Sequence, residues 1–236
     1  MNNRYKVIAG LMAALIINGS AVAAKDEAVD KNKKYRMGVV VFEGFELLDA
    51  MGPLEMFGNV GARLEIVLVA EKAGPVASAQ KVKTVADYSF EDCPELDIVL
   101  VPGGFGYTNM IRNEKAMKWL VDRAAKAELV TSVCNGSQIL AAGGILDGAK
   151  ATTNKAYYKM ITGSAKEVDW VHEARWVDDG RIITSSGVSA GIDMSLHVIQ
   201  RLFGEETATQ IANMTEYEWH RDSTWDPFAK MHASQK

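Results

Sequence analysis

The segment LVTSVCNGSQILAAGGIL, residues 129–146, decides the fold. An apolar, β-branched run, Leu129–Val133, leads straight into Cys134, and a helix of small residues starts at Gly136 and Ser137. A strand-turn-helix junction of this kind presents its turn residue at the carboxyl end of a buried strand, where open α/β sheets place their ligand crevices. The positive end of the following helix is expected to lower the thiol pKa and favour the reactive thiolate. Gly136, lacking a Cβ, allows the sharp turn. A buried, inert cysteine is the bland alternative.

Working outward, three more apolar runs precede this one: Met37–Phe42 (MGVVVF), Glu65–Ala70 (EIVLVA) and Asp97–Val101 (DIVLV). Their Val/Ile/Leu stretches are continuous rather than alternating, as in strands of a parallel sheet covered on both faces. Asn113 can cap a helix over Glu114–Lys126, with Met117, Leu120, Val121 and Ala124 on one face. A second helix, Ala190–Phe203, carries Ile192, Leu196, Ile199 and Phe203 on one side and stops at Gly204. Within Ala174–Ser185, Asp179-Gly180 between two strand-like runs predicts a hairpin. No internal repeat or low-complexity tract interrupts the pattern, so residues 36–230 read as a single α/β domain.

At the amino end, Arg4 and Lys6 precede the apolar run Val7–Ile17, and Ala21-Val22-Ala23 follows. A charged head, an apolar middle and an A-x-A site read as a signal peptide over residues 1–23. The apolar run falls short of the roughly 20 residues a membrane-spanning helix needs, so a permanent membrane anchor is not expected. Residues 25–36 (KDEAVDKNKKYR) are 8/12 charged, and 24–35 reads as a solvated leader. Cleavage after Ala23 or Ala24 removes two basic groups, leaving 24 basic against 30 acidic residues and a net charge of about −6. The expected mature protein is soluble and periplasmic, with too little positive charge to grip nucleic acid.

Two cysteines, Cys93 and Cys134, are too few for a disulfide framework, and no Cys/His spacing resembles a zinc site. Export would permit a bridge between them, but they flank different strands and are expected to act singly. Beside Cys134, the strand end VPGGFG (101–106) offers the N–H groups of Gly103 and Gly104, which with the amide of Asn135 could form an oxyanion hole. Asp49 lies among Leu47, Leu48, Ala50 and Met51, just ahead of Gly52-Pro53, where a carboxylate is costly to bury without partners. It could act as a general acid or base, or merely cap the helix containing Leu54, Met56 and Phe57. Glu46 and Glu55 are competing carboxylates better suited to the surface. His197, four residues after Asp193, can meet it on one helix face, more commonly as a structural contact. His172, His220 and His232 read as structural or solvated, and no metal or cofactor is expected. Trp219 and Trp225, in the tail EYEWHRDSTWDPF, could line a pocket or a dimer edge, though ordinary packing is the commoner role.

Three segments in order, VPGG, then SVCNGSQILAAGGILDGAKATT, then RWVDDGRIITSSGVSAGIDMSLH, resemble the ThiJ/PfpI superfamily of class I glutamine-amidotransferase-like proteins. LDAMGPLEMF resembles the Leu-Asp-x-x-Gly-Pro segment of its isonitrile hydratase branch. The resemblance implies a flavodoxin-like three-layer sandwich with a mainly parallel central sheet and a nucleophile elbow. It also implies Cys134 as nucleophile, Asp49 as its acidic partner, Gly103 and Gly104 at the oxyanion site, a small-molecule substrate and a homodimer. Two positions depart from the pattern. Asn135 replaces the usual Thr, and Asn154 stands where Thr-Thr-His is common; Asn cannot serve as a general base. That disfavours amidase chemistry built on a Cys-His pair and leaves isonitrile hydration, which leans on the carboxylate. Glyoxalase or deglycase chemistry and a non-catalytic binding or redox-sensing role of Cys134 are the alternatives.

Overall fold

The computed structural model describes residues 32–236; the signal peptide and most of the charged leader expected from the sequence lie outside them. Eleven strands occur among the described residues: β1 (Tyr35–Val40), β2 (Leu64–Ala70), β3 (Gly74–Ala77), β4 (Lys83–Ala86), β5 (Tyr88–Ser89), β6 (Ile98–Val101), β7 (Leu129–Ser132), β8 (Lys150–Ala151), β9 (Asp169–Trp170), β10 (Trp176–Asp179) and β11 (Ile182–Ser185). The helices are α1 (Leu47–Gly58), α2 (Tyr107–Arg112), α3 (Glu114–Lys126), α4 (Gly136–Ala142), α5 (Tyr158–Gly163), α6 (Ala190–Phe203), α7 (Glu205–Met214) and α8 (Pro227–Met231).

Seven strands form one sheet in the order β10-β11-β7-β6-β1-β2-β5, parallel throughout except for the β10–β11 hairpin. The four apolar runs read from the sequence are β1, β2, β6 and β7. β6 and β7 are buried along their whole length, which is why they lack alternation. One face of the sheet buries Met37, Leu100 and Ile183 with Met56, Phe57, Leu196 and Ile199 of α1 and α6. The opposite face buries Val99 and Val130 with Leu120 of α3 and Ile139 and Leu140 of α4. Two cores separated by a sheet make the three-layer α/β sandwich that the sequence implied.

The expected capping details are present. The Asn113 side chain accepts the Ala116 N–H at 3.2 Å at the start of α3, and Gly204 follows α6 with φ of 97°. Gly180 turns the hairpin at φ of 75°. Register decides where the site lies. Val101 of β6 pairs with Ser132 of β7, and Ser132 pairs with Thr184 of β11, so β6 and β7 end at one level and β11 runs one residue past it. Two residues beyond that common level stand Gly103, Cys134 and Ser186, on the carboxyl edge of the sheet.

Candidate active site

Cys134 occupies the turn between β7 and α4 with φ of 57°, a left-handed conformation that costs a non-glycine residue energy. The surroundings hold it there. Its N–H donates to the Ser186 carbonyl at 3.0 Å, and its own carbonyl accepts the hydroxyls of Ser137 and Thr153, each at 3.1 Å. Gly136 is required next: a Cβ there would sit 2.1 Å from the Val101 carbonyl oxygen. This is the nucleophile elbow expected from the sequence.

Asp49 is fully buried and lies in the first turn of α1, with Glu46 at the N-cap position, so it is not the helix cap. Four residues on, Pro53 has no N–H for the Asp49 carbonyl, a local weakness in the helix. One carboxyl oxygen, Oδ2, accepts the Gly103 N–H at 2.8 Å; the other, Oδ1, has no ordinary hydrogen-bond partner. Burial raises the Asp49 pKa well above the usual carboxylate range, against the Gly103 N–H, which lowers it; Glu46 pushes it further up and the Cys134 thiol draws it down.

The thiol expectation needs correcting. Burial, followed by the charge of Asp49, pushes the Cys134 pKa up, outweighing the N–H groups of Asn135 and Val188 and the Asn154 amide, which favour the thiolate. Cys134 is 7% exposed, so its desolvation exceeds the pull of a helix start only seven residues long. Thiol and carboxyl thus form a coupled buried pair in which a second negative charge is strongly disfavoured.

The glycine turn also differs from expectation. The Gly103 N–H is held by Asp49, and the Gly104 N–H donates to Asn135 Oδ1 at 2.8 Å. Both therefore position site side chains rather than stand open as oxyanion donors. A Cβ on Gly103 would lie 2.1 Å from Asn135 Oδ1 and 2.9 Å from Asp49 Oδ2, so only glycine fits. Asn154 Nδ2 donates to Cys134 Sγ at 3.2 Å, while its Oδ1 accepts the Ala156 N–H at 2.9 Å, which fixes the amide orientation. Asn154 thus binds the sulfur without being able to take a proton from it.

The structure therefore brings Cys134, Asp49, Asn135, Gly103, Gly104 and Asn154 together. It separates Asp193 from His197: Asp193 is buried against Arg175 at 2.5 Å, and His197 Nε2 instead meets Asp178 at 2.8 Å. Both cysteines are free and buried. Of the remaining histidines, His172 is buried with neither ring nitrogen hydrogen-bonded, and His220 stacks on Trp225. Trp219 packs against the core. Two contributors escaped the sequence reading, the Val188 N–H and Lys155. The first leaves no mark in residue type; the loop after β11 brings its N–H to the Cys134 sulfur. Among the described residues, no cluster of three or more His, Cys, Asp or Glu side chains could hold a metal, and no helix is long and apolar enough to cross a membrane.

Residues 35–201 match the model of the DJ-1/PfpI family. Isonitrile hydratase of Pseudomonas putida is 35% identical over 184 residues, covering 77% of this chain and 78% of that protein. The Parkinson disease protein 7 homolog of Danio rerio is 30% identical over 178 residues, 73% of this chain and 92% of its own length. Among solved structures, a ThiJ/PfpI family protein from Pseudomonas syringae superposes with a TM-score of 0.75 at 31% identity, covering 87% of this chain and 84% of that one.

Proposed function

The chain belongs to the DJ-1/PfpI family, and on that premise we propose that it is an exported hydratase converting small isocyanides to N-substituted formamides, with Cys134 as nucleophile and Asp49 as acid and base. The observation that carries this reading is the coupled thiol–carboxyl pair with Asn154, not a base, on the sulfur. A lone proton shared by the pair suits an electrophile that needs a nucleophile and a proton at the same carbon. Similarity to a protein named isonitrile hydratase supports the same substrate class.

The chemistry balances as follows. The thiol proton passes to Asp49 as sulfur bonds to the terminal isocyanide carbon, while the N–H groups of Asn135 and Val188 and the Asn154 amide steady the sulfur. Asp49 returns the proton to that carbon, giving a thioimidate R–N=CH–S–Cys134. Water then adds to the carbon with Asp49 taking one of its protons. Asp49 passes that proton to nitrogen, and collapse of R–NH–CH(OH)–S–Cys134 expels the sulfur while Asp49 carries the hydroxyl proton to it, so R–NH–CHO leaves and the thiol is restored. The sum is isocyanide plus water to formamide, with the enzyme unchanged.

Around this centre we place a signal peptide over residues 1–23, a leader over 24–35, one domain over 36–230, periplasmic residence and a homodimer without cofactor or nucleic acid. Intact mass of the periplasmic protein should start at Ala24 or Lys25, and light scattering should give twice the chain mass. The reaction is tested by following N-alkylformamide from a small alkyl isocyanide by NMR. Formation by the native enzyme, lost in Cys134→Ser and Asp49→Asn, is expected. Methylglyoxal consumption without formamide would overturn it in favour of carbonyl chemistry. Reversible oxidation of Cys134 by mild peroxide, with neither substrate consumed, would overturn it in favour of sensing.

A further inference from the structure

A cleft of about 220 Å³ is lined by the sulfur's donors Asn154 and Val188, and Phe228 and His232 from the carboxyl-terminal segment form part of its wall. This segment follows the residues 35–201 that match the family. It is held by an unusual device. Lys155, the residue after Asn154, is buried with Asp226; their side chains are each 1% exposed and 3.3 Å apart. Lys155 Nζ also donates to Thr152 Oγ1, the Thr153 carbonyl and the Ala174 carbonyl at 2.7, 3.1 and 2.9 Å. Asp226 Oδ1 accepts the Phe228 N–H at 3.0 Å, so the carboxylate that pairs with Lys155 also fixes where Phe228 begins α8.

A buried ion pair is a poor source of stability, because desolvating both charges offsets most of their attraction. Its distinctive effect is positional. A chain of contacts runs from Cys134 Sγ through Asn154 and Lys155 to Asp226 and Phe228, tying the wall to the reactive atom. At about 220 Å³ the cleft is about one and a half times the roughly 150 Å³ apolar cavity that holds benzene. Phe228, Ala156 and Val188 give it apolar surface, while the nearby charges of Lys155 and Arg175 are already paired.

We propose that this cleft receives the substituent of the electrophile attacked by Cys134, and that Phe228, positioned by the Lys155–Asp226 pair, limits that substituent to an uncharged group about the size of one six-membered ring. The proposal rests on Cys134 being the reacting group, as in the hydratase reading, but its main test needs no turnover. Native protein is alkylated with iodoacetamide and with N-(1-pyrenyl)iodoacetamide, and the rate at Cys134 is read by peptide mapping. The wild type should strongly prefer the small reagent, and Phe228→Ala should raise the pyrenyl-to-small rate ratio at least ~10-fold by opening the wall. Asp226→Ala, which removes both the cap and the partner of Lys155, should do likewise by releasing α8, and Phe228→Ala, at a half-exposed position, keeps the test available if Asp226→Ala fails to fold.

A ratio unchanged in Phe228→Ala overturns the proposal, as does a Cys134 that neither reagent labels in wild type and variant alike. In parallel, methyl and cyclohexyl isocyanide should both be hydrated and a pyrenyl isocyanide should not. A shifted labelling ratio with no isocyanide consumed leaves the wall standing and removes the hydratase reading. Isocyanide turnover with an unshifted ratio does the reverse.

Discussion

At Asp49 a carboxyl is buried where it is harmful to stability and useful for proton transfer. Its raised pKa means that, between the unfolded and folded pKa values, the folded protein holds a proton there which the unfolded chain has already released. That contribution is complete below the unfolded pKa and is lost as pH rises through the folded one, so the burial is a liability at neutral pH. Asp49→Asn, which can still accept the Gly103 N–H, should therefore raise Tm at pH 7, by about 2–4 °C for each 1 kcal/mol recovered. The same variant should cut isocyanide turnover by at least ~10²-fold. Gly103→Ala should lower kcat/KM about 100-fold by displacing Asn135 and Asp49, measured beside an unchanged far-UV spectrum. Cys134 and Asp49 were legible as candidates because a thiol at a strand end and an acid among apolar residues both stand out. The Val188 donor was not, since a backbone N–H leaves no mark in residue type. The direction of the thiol shift was misread because the sequence showed the helix start but not the depth of burial that outweighs it.

The elements follow from apolar runs and caps wherever these are long enough. β1, β2, β6, β7, α3 and α6 were readable, as was the Asp179-Gly180 turn, because each combines a buried face with a recognisable end. The hairpin of β3 and β4, the two-residue strands β5, β8 and β9, and the short helices α2, α5 and α8 were not. At two to six residues, their geometry is imposed by packing and carries too little periodicity. Asn113 tests the cap argument: Asn113→Ala removes the side-chain acceptor of the Ala116 N–H at the start of α3. It should cost about 1 kcal/mol and lower Tm by about 2–4 °C without altering Cys134 chemistry, as thermal melting and formamide production would record.

For the whole molecule, the sheet brings four loops to one edge while the carboxyl-terminal segment closes over them through a buried pair. Burial brings the Lys155 pKa down to about 8, against the opposing pull of Asp226. Between about 8 and the ordinary lysine value of 10.5 the unfolded chain keeps a proton that the folded protein has lost, so stability should rise across that window. Lys155→Met should abolish that rise in denaturant titrations. It should also cost about 3–5 kcal/mol at pH 7 by leaving Asp226 buried without its cation, most of it recovered in Lys155→Met/Asp226→Leu. A single variant as stable as the wild type would show that the pair fixes nothing.

The coupling of Cys134 to Asp49 is tested most directly by the pH dependence of native Cys134 alkylation by iodoacetamide, in wild type and Asp49→Asn. Two groups sharing a proton titrate as a pair, so the wild-type rate should rise in two steps and the variant in one. Coincident single-step curves for the two proteins would contradict it, leaving an isolated thiol that the carboxyl does not influence.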